Sequence, residues 1–222
     1  TGSVMSLSRR QALMQLAEER QLLVIEDDAY GDLIYEGEPV TSLYALSRTD
    51  NVVRLGTFSK IVAAGVRLGW IIAPEPVLAK MAVSKIDGGT SAFTSRAVAE
   101  YLQDHLNDRM ETLLSVYRAK RDAMLEALEE HLDGLVTWSR PKGGLFIWVR
   151  LPEGVNATRL LEAAQAAGVT YLPGAHFSPE GKGVNYLRLS FAYLSPEKIR
   201  AGIAVLARVI KTVQPLQAPL PA

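Results

Sequence analysis

The sequence predicts an α/β fold. Three short apolar runs, Leu22-Leu23-Val24-Ile25, Val52-Val53-Arg54-Leu55 and Leu68-Gly69-Trp70-Ile71-Ile72-Ala73, have strand length and stop at acidic residues, glycine or proline. Segments with apolar residues at helical spacing precede and follow them, the pattern of sheets layered with helices. Asp27 and Lys60 fall at or just beyond strand carboxyl ends, where ligands of open α/β sheets gather.

The elements follow in order. Ser8-Arg9-Arg10-Gln11 fits a capping box, with Leu7 and Ala12 placed for a hydrophobic staple. Leu13, Leu16 and Ala17 carry that helix to about Arg20. The run ending at Ile25 suits a strand buried on both faces of a parallel sheet, closed by Glu26-Asp27-Asp28. Gly56 closes the second strand and Pro74 stops the third. Helices dominate residues 75–132: one broken by Gly88-Gly89, a second over 93–106, and a third, amphipathic, over 109–131. Strands return at 135–138 and 145–149. A helix over 157–167 ends at Gly168, and strands follow at 169–172 and 186–191. Ser195 caps a last helix with Pro196 at its first position, running to about Val213. The proline-rich residues 215–222 are expected to form a flexible tail. A domain change is expected within the long helix, dividing 1–117 from 118–214.

Composition narrows the chemistry. The 222 residues carry zero formal net charge, which favours neither nucleic acid nor an anionic membrane as partner. The apolar runs are far too short to cross a bilayer. The absence of cysteine removes disulfides, thiolate metal sites and cysteine nucleophiles. His105, His131 and His176 are scattered without ligand spacing, so no metal site is expected. His176 is the one that could border a substrate pocket.

Three local signals carry chemistry, each with a plainer alternative. In Thr57-Phe58-Ser59-Lys60, a lysine follows hydroxyls in a turn, with Arg67 seven residues later. A Schiff-base lysine needs a lowered pKa, which nearby positive charge and partial burial supply. A phosphate needs hydroxyl donors and a forked cation, which Thr57, Ser59 and Arg67 could provide. The alternative is a surface lysine in a polar loop. Asp27-Asp28-Ala29-Tyr30 follows a strand directly. Its first carboxylate could pair with a protonated pyridine nitrogen, and its tyrosine could bond a ring oxygen. The alternative is an aspartate-rich turn. In the strand around Arg188, one arginine faces opposite its apolar neighbours and could bind a carboxylate in bidentate fashion. The alternative is a solvent-facing strand arginine.

Together these segments resemble the class I/II aminotransferase family of pyridoxal-phosphate enzymes. Thr57 to Lys60 with Gly65-Val66-Arg67-Leu68-Gly69 is similar to the family's lysine motif, with threonine where serine is frequent. Asp27 to Tyr30 is similar to its pyridine-binding motif, and Arg188 to Phe191 to its carboxylate-binding strand. Pro141-Lys142-Gly143-Gly144-Leu145-Phe146 and Pro173-Gly174-Ala175-His176-Phe177 resemble segments lining the substrate side.

The resemblance implies an aspartate-aminotransferase-like fold: part of the large cofactor-binding domain, then a smaller C-terminal α/β domain. It implies pyridoxal 5'-phosphate on Lys60 as a Schiff base, with Asp27 on the pyridine nitrogen, Tyr30 on the ring oxygen, and Thr57, Ser59 and Arg67 on the phosphate. Arg188 would hold the substrate α-carboxylate. The implied reaction moves an amino group between an amino acid and a 2-oxo acid, in a cytoplasmic homodimer. Asp28 is the runner-up for the Asp27 role, at the wrong spacing from Tyr30. The same cofactor serves lyases, and some bacterial transcription regulators carry an aminotransferase-like domain; both stand as alternatives. Thr1-Gly2 resembles the end of an N-P-x-G motif, so a preceding segment of the family's fold is expected to be missing. Weak cofactor binding by this chain alone is expected with it.

Overall fold

The computed structural model describes residues 2–212, which divide into two compact units. One runs from Val4 to Leu114; the other joins the first residues to the chain from Ser115 onward. The expected flexible tail, 215–222, lies outside the described residues.

The first unit opens with helix α1 (Leu7–Glu19), capped by Ser6, whose side chain accepts from the Arg9 amide. The capping box expected at Ser8 is thus displaced by two residues. Ser6 has the extended backbone a cap requires, and Ser8 already lies inside the first turn. Strand β1 (Val24–Asp27) pairs in parallel with β2 (Val52–Thr57), and β2 pairs antiparallel with β3 (Gly69–Ile72). Gly56 does not end the second strand; it lies within β2 because the Trp70 ring occupies the space a side chain would need.

A short helix α2 (Leu43–Leu46), absent from the sequence reading, sits between β1 and β2. Buried Glu26 holds its start, accepting from the amides of Leu43 at 2.8 Å and Tyr44 at 3.1 Å. Met14, Leu43 and Val52 form a small core with Leu13, Val24 and Leu46 packed against it. The strand expected to be buried on both faces is covered on one: Ile25 is 64% exposed. No strand other than β2 pairs with β1 among the described residues, and the Ile25 face has no layer over it within this unit.

Helix α3 (Glu75–Ser84) follows Pro74. The two helices expected next are one continuous helix, α4 (Ala92–Leu132). Asn107-Asp108 does not interrupt it, since the stretch holds no glycine or proline and these two residues are only mildly unfavourable in a helix.

The second unit contains a four-stranded sheet in the order β4-β5-β7-β6: β4 (Thr137–Trp138), β5 (Phe146–Arg150), β6 (Leu172–Pro173) and β7 (Tyr186–Ser190). Of the expected strand at 169–172 only Leu172 lies in a strand, and β6 extends past it to Pro173. Ile147 pairs with Leu189 and Val149 with Leu187, so these four share one face, and all are buried. Helix α5 (Ala157–Ala166) buries Leu160 and Ala164; α6 (Pro196–Thr212) buries Ile199, Ile203, Leu206 and Ile210. Asn156 caps α5, and Gly168 ends it with φ +89° and a Val169 amide bond to Ala164. The opposite sheet face carries Phe146, Trp148, Tyr186 and Arg188.

Candidate active site

The parallel pairing of β1 and β2 brings their carboxyl ends to one edge of the sheet. Asp27 is the last residue of β1, and Lys60 stands three residues beyond β2. The first unit therefore places Asp27, Tyr30, Thr57, Ser59 and Lys60 on segments leaving the same edge. Arg67, just before β3, joins them through the β2–β3 pairing.

The two aspartates differ in what they do. The Asp28 carboxylate takes a 2.6 Å ion pair from Arg54. The Asp27 carboxylate is exposed and makes no hydrogen bond or ion pair among the described residues. Its acceptor capacity is open to a positively charged donor. Arg54 also reaches Glu26 at 3.8 Å and lies over the Trp70 ring at 5.5 Å, so its charge is consumed within the scaffold.

The turn carrying Lys60 is tied down on both sides. Thr57 Oγ1 lies 3.0 Å from Ser59 Oγ, accepts from the Ser59 amide at 3.1 Å, and donates to the Leu68 carbonyl at 3.2 Å. The Phe58 amide donates to Leu68 as well, and the Val62 amide to Phe58. Arg109 in α4 donates to the carbonyls of Ile61 and Val62, each at 3.1 Å. Lys60 itself is half-buried, with Nζ 5.9 Å from the Tyr30 ring centroid and no carboxylate paired to it among the described residues. The amine thus lies beside a π-face and a hydroxyl-rich turn, with no counter-ion among the described residues.

Arg67 adopts the left-handed conformation, φ 52°, and its Nη1 donates to Ala64 at 3.2 Å. That backbone is uncommon for a residue with a side chain. The guanidinium is exposed, and its remaining donors have no partner among the described residues. The Ser59 hydroxyl and a forked cation match donors that an anionic phosphate requires, and the Thr57 hydroxyl, whose one proton goes to Leu68 here, joins them only by turning from that carbonyl. These observations meet the requirements of a pyridine-and-phosphate cofactor: a free carboxylate, a free amine, a tyrosine beside it, and anion donors.

Arg188 lies in the other unit. It pairs across β5 with Trp148 and across β6 with Leu172. Its guanidinium lies over the rings of Phe146 and Phe177. His176 falls in the short turn Gly174–Phe177. Among the described residues no group of three His, Cys, Asp or Glu side chains could hold a metal ion. No helix among the described residues is long and apolar enough to cross a membrane.

The sequence reading missed Arg109, Arg54 and the rings around Arg188. Arg109 acts 47 and 48 residues away in sequence, beyond the reach of any local pattern. Phe146 and Phe177 fell inside segments already noted for the substrate side, and their spacing from Arg188 carried no signal.

Comparison with known proteins agrees with this architecture. An aromatic-amino-acid aminotransferase of Thermococcus litoralis is 40% identical over 213 residues, covering 95% of this chain and 51% of the relative. A transcriptional regulator of Bacillus subtilis described as uncharacterized and HTH-type is 35% identical over 95% of this chain and 44% of its own length. The crystal structure of an alpha-aminoadipate aminotransferase of Thermus thermophilus, complexed with N-(5'-phosphopyridoxyl)-L-leucine, has a TM-score of 0.90 at 37% identity. That match covers 95% of this chain and 55% of the solved one. The chain thus spans about half the length of the relatives it matches. The expected α/β class, as part of an aspartate-aminotransferase-like fold, is borne out. The family described as aminotransferase class I and II matches residues 1–206, and the chain belongs to that family.

Proposed function

We propose that this chain carries the cofactor-binding lysine of a pyridoxal-phosphate-dependent aminotransferase, moving an amino group between an amino acid and a 2-oxo acid. The observation that carries the reading is Lys60: half-buried, free of any counter-ion among the described residues, beside Tyr30, and followed across the hairpin by Arg67. When bound, pyridoxal phosphate supplies an electron sink for negative charge developing at the substrate α-carbon.

The residues of this chain then divide the work. Asp27 would hold a proton on the ring nitrogen, since its carboxylate is the one not already spent on Arg54. Tyr30 would bond the ring oxygen. Thr57, Ser59 and Arg67 would hold the phosphate. Lys60 is the residue that would bind the cofactor covalently, and its amine would carry the proton taken from the α-carbon. Arg188 would hold the α-carboxylate through two parallel N–H bonds.

The domain reading belongs to the same proposal: residues up to 117 form part of the larger cofactor-binding domain and 118–214 the small one. The division between Leu114 and Ser115 supports it. The homodimer and the cytoplasmic location that the resemblance implies are part of the same proposal.

Borohydride reduction of the full-length protein with cofactor, followed by peptide mapping, tests the central assignment. The label is expected on Lys60, and Lys60→Ala is expected to lower transfer by a factor on the order of 10²–10⁴. A label on another lysine overturns it. The similarity to an HTH-type regulator supports a second reading, in which the same residues hold the cofactor as an effector. A full-length protein that takes the label on Lys60, binds DNA and transfers no amino group would favour that reading.

A further inference from the structure

Arg188 is held by rings rather than by acceptors. Its guanidinium carbon lies 3.9 Å from the Phe146 centroid and 4.4 Å from that of Phe177. Behind these rings, Trp148 packs edge-on against Phe177 at 5.5 Å and stacks on Tyr186 at 5.7 Å. No carboxylate or carbonyl pairs with the guanidinium among the described residues. Arg188, Trp148, Phe177 and Tyr186 also line a cavity of about 300 Å³.

A guanidinium is flat. Its faces attract aromatic rings, whereas its N–H groups radiate in the plane and seek oxygen. Packing against rings therefore restrains the plane without consuming the donors. A side chain restrained on folding gives up its rotamer freedom before any ligand arrives, so less is lost on binding. The rings also keep water from parts of the cation, which strengthens its pull on an anion.

We propose that Phe146 and Phe177 are positioning residues that fix the guanidinium plane of Arg188 for bidentate capture of a substrate carboxylate. This rests on the reading of Arg188 as the carboxylate ligand. The two phenylalanines touch no reacting atom; they act through the arginine. The chemistry they select is a planar monocarboxylate end, and nothing in the clamp depends on the amino group.

The test measures the affinity of the full-length, cofactor-loaded protein for 3-phenylpropionate, a carboxylate without an amine, by calorimetry. Phe146→Leu and Phe177→Leu are each expected to weaken binding about tenfold, while Phe177→Tyr, which keeps a ring, stays within about twofold of wild type. In turnover, KM for the amino acid is expected to rise further than kcat falls in the leucine variants. Phe177 is 45% exposed, so its leucine variant is expected to fold even where Phe146→Leu does not. Leucine variants that bind the probe as tightly as wild type overturn the proposal. So does a tyrosine variant as weak as the leucine one, or a wild-type protein that does not bind the probe. The expected binding pattern with no amino-group transfer by the wild type would instead sink the aminotransferase reading and leave the clamp standing.

Discussion

The two units of this chain differ in how much of their apolar surface they bury for themselves. From Ser115 onward, the inner face of the β5–β7 sheet is sealed, with Ile147 and Leu187 fully buried. In the Val4–Leu114 unit the three-stranded sheet leaves Ile25, Ile71 and Ile72 exposed, and Met14, Leu43 and Val52 form a small buried cluster with Leu13, Val24 and Leu46 packed against it. Six of the seven proposed site residues belong to this less sealed unit. What holds them is polar: Glu26 on the start of α2, Arg54 on Asp28, Arg109 on the Lys60 turn. The proposed site thus rests on hydrogen bonds and ion pairs, while a separate, better-packed unit presents Arg188 on the sheet face opposite its buried one.

Truncating the two cores is the strongest way to break that comparison. Leu187→Ala is expected to cost this chain about 2–5 kcal/mol in denaturant unfolding, because a fully buried side chain leaves a cavity. Ile25→Ala, at a residue already largely in water, is expected to stay within about 0.5 kcal/mol. Equal costs would refute the contrast.

Arg109→Ala sharpens the polar side of it. Losing two charged-donor bonds is expected to cost about 1–3 kcal/mol. Hydrogen exchange should quicken at the amides of 58–62 and stay unchanged in β7.

Tyr171 gives a smaller loss than either Leu187 or Arg109. Its hydroxyl donates to the Ala157 carbonyl at 2.7 Å, and burial pushes the phenol above its ordinary value. Tyr171→Phe is expected to cost about 1 kcal/mol. The sign of the pH effect follows from the raised pKa: the folded chain keeps a proton that the unfolded chain releases. Stability is therefore complete below the ordinary value of 10.0 and falls as pH climbs above it. The phenylalanine variant should show a flatter fall.

Much of this was legible in the sequence where one cause acted locally. Strands at 52–55 and 186–191, the Gly168 stop and the Ser195 start follow from apolar runs, a permissive glycine and a hydroxyl cap. Where two signals competed, the structure decided. Ser6 won over Ser8 because the helix starts one residue after it, and α4 ran through Asn107-Asp108 because nothing there breaks a helix. Helix α2 has a local cap in Ser42, but its four residues are too few to show a helical period, and a carboxylate 17 residues away in sequence also holds its start. The same limit governs the site. Lys60, Asp27 and Arg67 carry motifs, but the difference between Asp27 and Asp28 depends on Arg54, and the state of Arg188 depends on rings contributed by two other segments.

The Trp70 ring that fills the space beside Gly56 has an optical consequence. Of the chain's three tryptophans, Trp138 and Trp148 belong to the sheet of the second unit, and Trp70 is the sole indole of the first. It sits one strand residue from Thr57, against the backbone that leads into Lys60. With Trp138 and Trp148 replaced by phenylalanine, the emission of this chain would report on a single place: the backbone immediately before Lys60.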